Sequence, residues 1–160
     1  MIRRTALAIL FAAACVAGAF AADGQHYVNV WYRYAIDLPP GFSPLKESGN
    51  GDGGVSYSAD GKSKLAVWGV NALLDTLAAD AESRIQSAQD DDWAISYSKV
   101  SGRWASWSGE KQGRIFYARE IQLCDDRVAA FQIEYPEEAK DAFDPLVQKL
   151  VKGFRATSCD

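Results

Sequence analysis

Apolar and polar residues alternate from Tyr27 to Leu38. Val28, Val30, Tyr32, Tyr34, Ile36 and Leu38 point one way, and Tyr27, Asn29, Trp31, Arg33, Ala35 and Asp37 the other. A period of two marks a strand, here with a break near Trp31 and a stop at Pro39-Pro40-Gly41. Residues 43–54 form a loop rich in Ser, Gly and Asn. Two strands follow, Val55–Ser58 and Lys64–Val70, joined through Asp60-Gly61. An Asp-Gly between strand-like runs signals a hairpin, because glycine accepts the positive φ of a tight turn. Leu74, Leu77, Ala78, Ala81, Ile85 and Ala88 then recur at helical spacing, with Asp75 as the expected N-cap. Asp90-Asp91-Asp92 closes this helix. Three carboxylates oppose the C-terminal end of the helix dipole, so the helix is expected to finish just before them.

From Ala94 the pattern becomes strand-like for forty residues. Ala94–Val100, Arg103–Ser108, Arg114–Leu123 and Arg127–Tyr135 read as a meander, whose short connections favour antiparallel neighbours. Phe143, Leu146, Val147, Leu150, Val151 and Phe154 form the clearest amphipathic helix. Asp144-Pro145 either caps it, or Pro145 lies inside a helix begun near Glu137. The expected fold is α+β: an antiparallel sheet of six to eight strands with two main helices packed on it. Several strands are apolar on both sides, which is compatible with helices on both faces.

The first residues change the picture of what remains. Met1-Ile2-Arg3-Arg4 is basic, Ala6 to Phe20 is apolar apart from Gly18, and Ala19-Phe20-Ala21 has the small-x-small pattern of a cleavage site. Residues 1–21 therefore read as a secretory signal peptide, cut after Ala21 or Ala22, followed by a single domain over 25–160. The apolar run is shorter than the roughly 20 residues that span a bilayer. Ala12-Ala13-Ala14-Cys15 lacks the leucine of a lipoprotein signal, so lipidation at Cys15 is disfavoured. The expected location is the periplasm or the exterior. The whole chain carries 17 basic and 21 acidic residues. Without the leader's two arginines the balance is −6, which argues against nucleic acid or anionic membranes as partners.

Removal of the leader also removes Cys15 and leaves Cys124 and Cys159, an even pair in an oxidising compartment, for which a disulfide is the default. Cys124 precedes Asp125-Asp126 at an expected hairpin tip, and Cys159 is penultimate. No Cys-x-x-Cys suggests redox chemistry.

Several of these segments together resemble a group of small exported bacterial proteins. The resemblance runs through Tyr27-x-Asn29, Tyr32-x-Tyr34-x-Ile36, Leu38-Pro39-x-Gly41-Phe42, Asn50-Gly51-Asp52-Gly53 and Ser58-x-Asp60-Gly61. It continues through Leu65, Gly69, Ile95-x-Tyr97, Phe116-Tyr117 and Tyr135-Pro136 to Phe143-Asp144-Pro145-Leu146-Val147 and Gly153-Phe154. It implies a Mog/PsbP-like α/β/α sandwich, shared by PsbP, the Ran-binding Mog protein and DcrB-like proteins. Members of that superfamily act as binding, assembly or accessory proteins. The shared residues shape turns and core and name no active site, so function carried over from them is analogy.

Candidate chemistry is sparse. The single histidine, His26, lies near the expected mature N-terminus. Ser106 and Ser108 lack a Gly-x-Ser-x-Gly elbow, so no catalytic triad is assigned. Asn50-Gly51-Asp52 lacks the acid twelve places along an EF-hand loop, where Gly61 stands; Asp90–Asp92 reads as a solvated helix end. No metal or cofactor is expected. Glu110, Glu120 and Glu134 on adjacent strands are a conceivable carboxylate set for an envelope hydrolase, but alternation places them on the wet side of the sheet.

Trp31, Trp68 and Trp93 fit core or strand-end positions. Trp104 and Trp107 have opposite strand parity, so at least one should leave the core, unless a helix covers the second face. Arg103, Trp104 and Trp107 are therefore the candidate binding surface, for a protein or a sugar ring. The leading expectation is a non-enzymatic accessory protein with an unidentified protein partner. The alternatives are a small-ligand or glycan-binding module and an envelope hydrolase.

Overall fold

The structure is a computed structural model that describes residues 24–71, 74, 76–124 and 126–158. The expected leader and its cleavage site, Cys15, Asp75 and Cys159 lie outside the described residues. In chain order the elements are β1 (His26–Asn29), β2 (Tyr34–Asp37), β3 (Lys46–Glu47), β4 (Gly53–Tyr57), β5 (Lys64–Asn71) and α1 (Leu77–Asp90). Then come β6 (Ala94–Val100), β7 (Trp104–Lys111), β8 (Arg114–Gln122), β9 (Arg127–Pro136), a 3-10 turn (Glu137–Ala139), α2 (Lys140–Gly153) and β10 (Arg155–Ala156).

The α+β expectation holds. A seven-stranded antiparallel sheet runs in the order β3-β4-β5-β9-β8-β7-β6, and a separate three-stranded sheet runs β1-β2-β10. β6 to β9 form the expected meander, in which Trp107 faces Ala118 and Tyr117 faces Ile133. The break near Trp31 is a hairpin turn: β1 and β2 pair antiparallel, His26 opposite Asp37 and Asn29 opposite Tyr34. The small sheet carries a pairing with no local signal, Arg155 opposite Ala35.

One face of the large sheet is covered along its length and the other over β6 to β8. α2 and the small sheet bury one face around Tyr34, Ile36, Leu65, Phe131, Ile133, Leu150 and Phe154. Phe131 and Phe154 meet edge to face there, with ring centroids 5.1 Å apart. α1 lies over β6, β7 and β8 on the other face, around Ala81, Ala105, Trp107, Phe116 and Ala118.

Several boundaries differ from the sequence reading: β3 and the start of β4 fall within the expected loop 43–54, and β7 runs past Ser108 to Lys111. The N-cap of α1 is Thr76, whose hydroxyl accepts from the Ala79 N–H at 3.2 Å. α1 runs into the aspartates, through Asp90. Its end is satisfied by Asp92 in the left-handed region (φ 64°), by the Trp93 N–H returning to the Ala88 carbonyl at 3.0 Å, and by the Lys111 ammonium donating to the Asp91 carbonyl. That cation offsets the unfavourable charge at the helix terminus. Pro145 sits inside α2, and the helical rise begins at Glu137 in the 3-10 turn. The missing N–H falls in the second turn, where one backbone bond is lost.

Candidate functional site

The residues nominated from sequence are not brought together. Arg103 is exposed in the turn between β6 and β7. Trp104 and Trp107 do point to opposite faces, but each face has a cover. Trp107 is 4% exposed, packed beneath α1 with Ala81, Phe116 and Ala118. Trp104 is half-buried on the α2 side, where the Arg119 guanidinium carbon lies 4.3 Å from its ring centre and Lys99 Nζ 5.7 Å. Arg119 Nη1 in turn donates to Ser106 Oγ at 3.0 Å. A ring beneath a guanidinium gains cation–π stabilisation, and that face is taken. No joint surface of Arg103, Trp104 and Trp107 results.

The three glutamates do not converge either. Glu110 shares a face with Ile115, on the α2 side, while Glu120 and Glu134 lie on the α1 side. Glu134 pairs with Arg114 near the surface. Glu120 corrects the wet-side expectation: it is fully buried, between Ala105 of β7 and Ala130 of β9. Above it, α1 presents Asp80, also fully buried, and Arg84. Arg84 Nε lies 2.9 Å from Asp80 Oδ2, to which it donates, and 2.8 Å from Glu120 Oε2. Burial pushes the Glu120 carboxyl up to about 8; Arg84 pulls it back down and the neighbouring Asp80 adds to the rise. Glu120 is thus protonated at neutral pH, and one cation faces one carboxylate and one neutral acid. This cluster pins α1 to the sheet. The sequence held a signal for it, since Phe116, Ala118 and Glu120 share strand parity, and Asp80 and Arg84 are four apart on the apolar side of α1.

Another group of residues missed in the sequence gathers at one end of the sheet. Trp31, expected in the core or at a strand end, is 77% exposed, and Val30 beside it is 76% exposed. Their turn is fastened from several directions. The Tyr32 N–H donates to Asn29 Oδ1 at 2.9 Å, and Asn29 Nδ2 donates to the Gly51 carbonyl at 2.9 Å. Arg127 Nη1 donates to the Trp31 carbonyl at 2.7 Å, and the Thr157 N–H to the Arg33 carbonyl at 2.8 Å. The backbone is held while the indole and the valine stand in water. Leu74, three residues beyond Asn71, is also exposed. His26 is at the opposite end of β1, with Nδ1 2.5 Å from Asp37 Oδ1.

Among the described residues no three His, Cys, Asp or Glu side chains cluster to hold a metal ion, and no helix is long and apolar enough to cross a membrane.

No family model matches the sequence, and no curated protein matches it significantly. Solved structures do. The solution structure of cyanobacterial PsbP (CyanoP) from Synechocystis sp. PCC 6803 is 15% identical, with a TM-score of 0.65 over 90% of this chain and 98% of that one. The Ran-binding protein Mog1p of Saccharomyces cerevisiae is 14% identical, with a TM-score of 0.61 over 86% of this chain and 97% of that one. At such identities the likeness shows the fold alone, a Mog/PsbP-like fold.

Proposed function

We propose that this protein is an exported, non-enzymatic binding or accessory protein that docks a partner protein on the end of the sheet bearing Trp31. The observation that carries the reading is the combination of a fastened turn and an exposed indole. A tryptophan on pre-ordered backbone contributes large contact area without the entropic cost of ordering a loop, the profile of an interface anchor. Val30 beside it extends the apolar surface. A structural neighbour named for binding Ran is consistent with a protein partner.

In this reading residues 1–21 are removed on export, and the mature domain works in the periplasm or outside the cell. Cys124 and Cys159 then form a disulfide at the same end. Cys124 is three residues before Arg127, which grips the Trp31 carbonyl, and Cys159 is two residues after Thr157, which grips Arg33. A bridge there would lock the docking surface.

Co-purification from periplasm tests the proposal. The tagged protein should retain a stoichiometric partner, and the Trp31→Ala variant, with an unchanged circular dichroism spectrum, should lose it. The same partner held equally by both proteins, or no stoichiometric partner at all, would refute it.

A further inference from the structure

α1 covers β6, β7 and β8 and leaves the α1-side face of β5 and β9 to line a cavity of about 310 Å³. Trp68 rises from β5 on one side, and Trp93, directly after α1, stands on the other. Trp93 is held edge to face against Phe116 in the wall, with centroids 4.8 Å apart at 85°. Its backbone is tied to the end of α1 through Ala88. Arg84 and Asp91 line the cavity from the helix and Gln132 from β9. Arg84 is immobilised by Asp80 and Glu120 at its Nε, and its side chain stays 20% exposed. The polar equipment is therefore a pre-positioned guanidinium, a primary amide and a carboxylate, set around two indoles.

We propose that this cavity binds a neutral sugar ring, a hexose or N-acetylhexosamine unit of a glycan. The C–H face of a pyranose is apolar and suits an indole. Its hydroxyls both donate and accept, so a planar donor fork, an amide and a carboxylate can each find a partner. The charges select for neutrality. Arg84 repels a cation that the two aromatic faces would otherwise attract. An anion meets Asp91, flanked in sequence by Asp90 and Asp92, while the charge of Arg84 is already matched by Asp80. The volume is at the low end of the roughly 300–1,000 Å³ of small-molecule sites, suited to a short ligand. This site is separate from the Trp31 end and stands or falls independently of it.

The test is isothermal titration of the mature protein with chitotriose and maltotriose, with glucuronate and choline as charged probes. Saturable binding of a neutral trisaccharide is expected, weakened at least about tenfold (~1.4 kcal/mol) in both Trp68→Ala and Gln132→Leu. Two variants are used because either one alone could disturb the sheet, and the unfolding midpoint of each reports that. No saturation by either trisaccharide up to about 10 mM would overturn the proposal. So would affinity unchanged in the folded variants, or a preference for glucuronate or choline.

Discussion

Replacing Glu120 with glutamine removes a titrating proton from beneath α1 while leaving the shape of the site intact. In the folded protein burial holds this carboxyl at about 8, against an ordinary value of 4.5. Between those values the unfolded chain has released the proton and the fold still binds it. Stability therefore falls as pH rises, by about 1.4 kcal/mol per pH unit for one proton. The contribution is fully present below about pH 4.5 and is lost by about pH 8, a total on the order of 5 kcal/mol over the interval. Glu120→Gln has no such proton. Urea unfolding followed by fluorescence at pH 5, 6, 7 and 8 measures this directly. The stability of the wild type relative to the variant should drop by about 4 kcal/mol from pH 5 to pH 8. Parallel curves, differing by less than about 1 kcal/mol across the range, would mean that Glu120 is ionised within the fold and that the cluster is misjudged.

Other consequences are simpler. A Cβ added at Gly69 would lie 2.2 Å from Cγ of Tyr32, so Gly69→Ala should cost about 1–3 kcal/mol in urea unfolding; an unchanged midpoint would refute the close packing of the turn on β5. Thr76→Ala should cost about 1 kcal/mol by loss of the α1 cap. Cys159→Ser should remove about 4 kcal/mol, the chain-entropy value for a 36-residue loop, and should expose one titratable thiol on denaturation without reductant; a second thiol already present in the parent protein would rule out the bridge. Trp31→Ala should change stability by no more than about 0.5 kcal/mol, because its side chain is in water.

The meander from β6 to β9 and both helices were legible because each repeats its apolar period over many residues. The small sheet was not. Arg155 and Ala156 pair with β2 across most of the chain, and two residues carry no period to read. Trp31 was misplaced because alternation continues through the turn, although Arg33 there takes a positive φ that no strand has. Glu120 was assigned to the wet side by an alternation that took the charged face as exposed, whereas the face it shares with Phe116 and Ala118 is covered by α1. The site suffered from the same limit. Spacing correctly sent Trp104 and Trp107 to opposite faces, but whether a face is open depends on which helix or side chain covers it. Here α1 covers one ring and Arg119 the other. The Trp68–Trp93 cavity joins strand β5 to the end of α1, some twenty-five residues apart, and only the packed fold assembles it.

The most direct test of the account is photo-crosslinking in living cells. A benzophenone amino acid placed at Val30 and, separately, at Tyr97 on the exposed edge strand β6 compares the proposed docking end with a second solvent-facing position. The account predicts one discrete protein adduct from position 30, on mature protein recovered from the periplasm, and none from position 97. Equal adducts from both positions, or adducts only from 97, would contradict it.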